Sequence, residues 1–249
     1  MTGSSMAILT GMSYTADMYG FIVVYPNGYD NHWNDGRNVT SASKAGVDDV
    51  GFVSNLIYAL SSQYKIDLSR VYAIGFSDGG FFTHRLACQL PGKIAAIATV
   101  SGSMPPETAA SCNPDRPISA LIIHGTADPL VPFNGGNVSV PPLLGEGGWV
   151  LSFNATVARW VQFDGCPTTP STTELPTVVN DGTSVIREYY GPCAQGTAVE
   201  TYIIDGGGHT WPDGPQYLPI SIVGKVSQNL NANQVIWTFL QQYSLPQTD

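Results

Sequence analysis

Charge is what this 249-residue chain has least of. Only 12% of its residues are Asp, Glu, Lys or Arg, and ten cations stand against nineteen acids, for a formal net charge of -9. So few cations argue against a protein that tracks nucleic-acid phosphates or is held electrostatically on an anionic membrane. No apolar run approaches the roughly 20 residues needed to span a bilayer. Cysteine is scarce as well: Cys88, Cys112, Cys166 and Cys193, with no CxxC spacing. That argues against a metal site and leaves two disulfides or four thiols. Order along the chain favours Cys88 with Cys112 and Cys166 with Cys193, though three pairings remain open. Two bridges imply an oxidising compartment, so export to the extracellular space is expected. There are only four histidines, which shortens any search for a catalytic base.

What is present fits one α/β enzyme domain over residues 1–249: no linker, repeat or low-complexity tract interrupts it, and the length can bury a sizeable core. Val71 to Ile74 reads as a buried strand, Gly75-Phe76-Ser77-Asp78-Gly79 fits G-x-S-x-G, and Phe81 to Leu90 reads as a helix. Strand, sharp turn and helix are the setting of a nucleophile elbow, with Gly75 and Gly79 expected where a side chain would collide. Without that setting, a Ser in a Gly-rich turn carries no chemistry.

Around the elbow, Phe21 to Tyr25 is an apolar run ended by Pro26-Asn27-Gly28 and reads as a buried parallel strand. A polar loop, Asp30 to Ser43, carries His32, Trp33, Asn34, Asp35 and Arg37. Asp48 and Asp49 open a helix running to Tyr64, where two carboxylates suit the dipole and cap free amides. Further strands are expected at Ile94–Val100, Ala120–His124, Ser184–Tyr190 and Val199–Ile204. Helices are expected at Ser5–Ala16, weakly, and at Trp149–Phe163 and Gln234–Tyr243. Alternating strands and helices give a mostly parallel sheet covered on both faces. Asn38, Asn137 and Asn154 begin glycosylation sequons, relevant only in a eukaryotic source.

A serine hydroxyl needs a base, and the base an orienting acid. His84 lies in the helix after Ser77 and reads as structural; His124 ends an apolar strand, and His32 stays open. His209, in Asp205-Gly-Gly-Gly-His-Thr-Trp-Pro212, follows a strand at the carboxyl edge of the sheet. Asp128 follows another strand, ahead of Asp164 and Asp205 as the acid. Ser77, Asp128, His209 is the Ser…Asp…His order of an α/β-hydrolase, and the amide of Asp78 is the expected oxyanion donor. Trp33 and Trp211 are candidates to touch substrate; for each, packing that anchors its own loop is the competing reading.

At these residues the chain resembles the esterase family of secreted polyhydroxybutyrate depolymerases and feruloyl and acetylxylan esterases. The matching stretches are Gly20–Gly28, Trp33-Asn-Asp-Gly-Arg37, Val47-Asp-Asp-Val50, Gly75–Gly80, His124–Pro132 and Gly206-Gly-Gly-His-Thr-Trp-Pro212. The resemblance implies an α/β-hydrolase fold, the same triad, extracellular ester hydrolysis with no metal or other cofactor, and a Cys88–Cys112 disulfide. It departs at the amino end. Family members carry, ahead of the strand matching Gly20–Gly28, another strand ending in His-Gly and a Gly-rich loop that supplies a second oxyanion amide. Met1-Thr-Gly-Ser-Ser stands where that loop is expected, so a gap is expected between the Phe21 strand and the Val71 strand.

The leading expectation is a serine carboxylesterase acting on a small ester, polyester or polysaccharide ester, with a homodimer left open. A peptidase or acyltransferase using the same triad is the second reading. A non-catalytic hydrolase-fold binding protein, following from the amino-terminal departure, is the third.

Overall fold

The computed structural model describes residues 1–140 and 146–246. Its helices are α1 (Gly3–Thr10), α2 (Met12–Tyr19), α3 (Ser41–Lys44), α4 (Asp49–Gln63), α5 (Asp78–Gln89), α6 (Pro106–Ser111), α7 (Phe153–Phe163), α8 (Ile220–Val223) and α9 (Ala232–Leu240). Its strands are β1 (Tyr72–Phe76), β2 (Ala96–Val100), β3 (Ser119–Gly125), β4 (Gly136–Asn137), β5 (Trp149–Val150), β6 (Ser171–Glu174), β7 (Ser184–Tyr190) and β8 (Val199–Asp205).

Six strands form the main sheet in the order β1-β2-β3-β8-β7-β6. The first four pair in parallel, Tyr72 opposite Ala96, Ala96 opposite Ser119 and Ala120 opposite Val199. β7 and β6 then return antiparallel. Parallel strands need both faces covered, and the alternation along β3 shows how. Leu121 and Ile123 pack on one side with Trp211, Ile236 and Phe239, whereas Ala120 and Ile122 pack on the other with Phe82, Phe153 and Trp160. This is the α/β architecture expected, with α5 and α7 on one face and α9 on the other.

Several boundaries differ from expectation for local reasons. The weak amino-terminal helix is two helices, because Gly11 adopts φ 59° and ends α1 with its N–H on the Ala7 carbonyl. The helix expected from Trp149 begins at Phe153, where Ser152 accepts the Ala155 N–H; Trp149 and Val150 instead pair with β4. Asp48 caps α4 through the Gly51 N–H, and Asp49 accepts the Asn34 N–H, so both carboxylates are structural. Disulfides join Cys88 to Cys112 and Cys166 to Cys193 across separations of 24 and 27 residues. Loops of that length each give about 3–4 kcal/mol in the chain-entropy model.

The largest correction is at Phe21–Tyr25, which forms no ladder among the described residues. Its burial still alternates as a strand's would: Phe21, Val23 and Tyr25 pack on the core, while Ile22 and Val24 are exposed. Among the described residues β1 pairs only with β2, so its other edge is open there and Ile74 is exposed. Trp237 lies beside both, stacked on Phe21 at 4.2 Å and edge-on to Tyr72 at 6.4 Å, with a buried Nε1 that has no partner among the described residues. A backbone that could serve as a strand does not become one without a neighbour.

Candidate active site

β1 delivers the chain to Ser77, whose φ of 54° and ψ of -118° belong to no ordinary region for a residue with a side chain. The turn survives because its backbone approaches are so close. A Cβ on Gly75 would strike the Gly79 carbonyl, and one on Gly102 would come within 2.8 Å of the Gly80 Cα. Gly79 itself has open space around it, so the expected collision there moves to Gly80. The Ser77 carbonyl accepts the Gly80 and Phe81 N–H groups, which starts α5. The Asp78 N–H is left free of protein partners among the described residues, as an oxyanion donor must be.

Two other strand ends bring up the partners. His209 follows β8, and its Nδ1 lies 2.8 Å from Asp128 Oδ2 in the loop after β3. The other Asp128 oxygen accepts the N–H groups of Leu130 and Val131 at 2.8 Å each, so the carboxylate cannot rotate. Burial would raise the Asp128 carboxyl, but His209 and His124 outweigh it and hold the group well below the usual range. The His209 ring stands against Phe76 at 4.9 Å, and its backbone N–H and carbonyl are fixed by Val223 and Tyr217. Ser77 and His209 line the same cavity, of about 920 Å³, and the Ser77 hydroxyl has no hydrogen-bond partner among the described residues. The apolar walls of that cavity run on along Phe21, Val23, Val53, Ile57 and Leu60, past the open edge of β1.

The other histidines separate cleanly. His84 is fully buried, donating from Nε2 to the Gly102 carbonyl and accepting the Trp160 Nε1–H at Nδ1. Burial lowers its pKa to about 4, consistent with a neutral core residue. His124 bonds the Val131 carbonyl. His32 sits nearer the site than its loop suggested, with Nδ1 3.6 Å from Asp78 Oδ2, and the bond to Asp78 raises its pKa.

The two tryptophans expected to meet substrate both border the cavity, but Trp211 is 2% exposed, with Nε1 bonded to Asn233 and its ring edge-on to Phe76. It anchors the His209 loop. Trp33 stacks on Phe82 at 5.0 Å yet stays half-buried on the cavity wall.

Sequence reasoning passed over a charged cluster at the first turn of α5. Arg37 Nη2 lies 2.7 Å from both Asp78 Oδ1 and Asp35 Oδ2, and Asp35 is wholly buried. Burial and the Asp78 carboxylate raise the Asp35 carboxyl well above its usual value. Asp78, despite burial, is held below the usual carboxylate range by Asp35, His32 and Arg37. The available signal was an Arg and two acids in a chain that has so few charges.

Comparison with known proteins gives three kinds of likeness. A family described as phospholipase/carboxylesterase matches residues 26–144. "Putative esterase NocK" of Nocardia uniformis is 31% identical over 235 residues, covering 93% of this chain and 68% of that protein. "Feruloyl esterase B" of Piromyces equi is 31% identical over 86% of this chain, and "Bifunctional acetylxylan esterase/xylanase XynS20E" of Neocallimastix patriciarum 30% identical over 78%. The chain spans only 34% and 25% of the length of those two. Among solved structures, an acetyl xylan esterase from Aspergillus awamori shares the fold, with a TM-score of 0.58 over 84% of this chain and 80% of that one at 17% identity.

Proposed function

We propose a function from one premise: the chain belongs to the esterase family of the α/β-hydrolases. The reaction is hydrolysis of a carboxylic ester through an acyl-enzyme on Ser77. His209 takes the Ser77 proton at Nε2 as Oγ attacks the ester carbonyl, and the Asp78 N–H receives the developing oxyanion. His209 returns the proton to the departing alcohol. A water, deprotonated in turn by His209, then releases the acid and restores Ser77. Asp128 holds the imidazole tautomer and stabilises the imidazolium. The observation carrying this reading is the 2.8 Å His209–Asp128 bond on the cavity that Ser77 lines.

The substrate is a neutral ester with an apolar acyl part, matching the apolar walls at Phe21, Val23, Val53, Ile57 and Leu60; of the lining cations, Arg37 and Arg70 are each paired with an acid, Asp78 and Asp67. Feruloyl or acetyl esters of polysaccharide are favoured over polyester, because the relatives carry those activities in their names. Two disulfides support an extracellular site of action.

Hydrolysis of p-nitrophenyl acetate, butyrate and octanoate and of methyl ferulate, by wild type and Ser77→Ala, tests this. The expected result is turnover in the wild type and at least about a 1,000-fold lower kcat in the variant. Equal activity in the two proteins would refute it.

A further inference from the structure

Every donor of the Arg37 guanidinium is committed. Nε reaches Asp35 Oδ2 at 2.8 Å, Nη1 reaches the carbonyls of Glu146 and Gly147 at 2.8 and 2.7 Å, and Nη2 is shared between Asp35 and Asp78 at 2.7 Å each. The guanidinium also lies 4.5 Å over the Phe81 ring, so it grips the first turn of α5 by a charge and by an aromatic face. Arg37 is 5% exposed, and its own N–H is bonded to Asp35. A side chain so completely bound has one orientation, and a planar fork is what two carboxylates and two carbonyls require.

The consequence falls on Asp78. Its amide is the one through which the chain would meet an oxyanion, yet its own carboxylate is a negative charge on that same residue. Left alone, that charge would oppose every step in which negative charge develops at the amide. Arg37 is the cation shared between Asp78 and the buried Asp35, and it touches the Asp78 carboxylate at 2.7 Å.

We propose that Arg37 is a positioning residue for ester hydrolysis, pinning the first turn of α5 through Asp78 and cancelling the Asp78 charge so that the Asp78 amide meets the oxyanion unopposed. The inference rests on the reading of Ser77 as nucleophile.

The test is a double-mutant cycle on full-length protein with p-nitrophenyl butyrate. It compares wild type, Arg37→Gln, Asp78→Asn and Arg37→Gln/Asp78→Asn, with circular dichroism confirming each fold. Losing a whole oxyanion donor costs about 100- to 1,000-fold, so Arg37→Gln is expected to lower kcat by about 10- to 100-fold with KM within about threefold. In the Asp78→Asn background the same Arg37→Gln change is expected to cost less than about fivefold, because the charge to be cancelled is gone. An equal loss in both backgrounds would show that Arg37 only anchors the loop, and would overturn the inference while leaving the esterase reading intact. Should Arg37→Gln fail to fold, Arg37→Lys carries the same test. It keeps the charge, so its kcat is expected to stay within about tenfold of wild type; a loss beyond about 100-fold would overturn charge cancellation. A wild type without Ser77-dependent hydrolysis would overturn both readings together.

Discussion

Single residues here are shaped by neighbours that no local pattern names. Ser77 keeps its strained backbone because Gly75, Gly80 and Gly102 let three segments meet without side chains between them. The G-x-S-x-G motif revealed the first of these; Gly80 and Gly102 meet only in the folded chain. Ser77, Asp128 and His209 could be singled out in the sequence because each follows an apolar strand, and a base and an acid must come from loops at one sheet edge. Arg37 could not, since nothing local distinguishes a cation that will be buried. Burial of Asp164 shows the same dependence on tertiary contact. It accepts the Ile118 N–H through Oδ1, while Oδ2 has no partner among the described residues, and burial raises its pKa to about 7. A folded-state pKa above the unfolded value of 3.8 means stability present below about pH 4 and lost as pH rises through about 7. Asp164→Asn should remove this loss, which amounts to a few kcal/mol at most. Urea melts at pH 5 and pH 8 check it: the wild type should lose more stability between the two than the variant, and equal differences would contradict the assignment.

At the scale of elements, β2, β3, β7, β8 and α5 could be read from the chain to within a few residues, since alternation and apolar runs carry that information. Phe21–Tyr25 has the same signals, and its side chains still alternate between core and solvent. Strand propensity describes a residue's fit to a pleated surface; a ladder needs a second backbone. Helix α4 shows the counterpart: its apolar side Val53, Ile57 and Leu60 lines the cavity, with Val53 also packed on the core beside Phe82. β6, with the sequence Ser-Thr-Thr-Glu and no buried residue, was missed for the opposite reason: pairing with β7 makes it a strand, and hydrophobicity does not. Hydrogen exchange read by peptide should follow this division. Amides of 21–25 and the open-edge amides of β1 should exchange at least about 100-fold faster than those of β3, which is paired on both sides. Equal protection across these segments would mean that the gap beside β1 is closed in solution.

For the molecule as a whole, the parallel strands β1, β3 and β8 end on one edge of the sheet, and the three candidate catalytic side chains leave from those ends. Both disulfides lie away from that edge, tying α5 to the segment after α6 and the end of α7 to the turn before β8. The architecture thus supplies a rigid frame, and loops at one edge carry the chemistry. The central claim is that Ser77 is a nucleophile activated by His209. Its most direct test is reaction of the folded protein with a fluorophosphonate, followed by mass spectrometry of the peptide carrying Ser77. The account expects one phosphonyl group per chain, on Ser77, formed at least about 100-fold more slowly in His209→Ala. No adduct on folded protein, or an adduct on another residue, would contradict it.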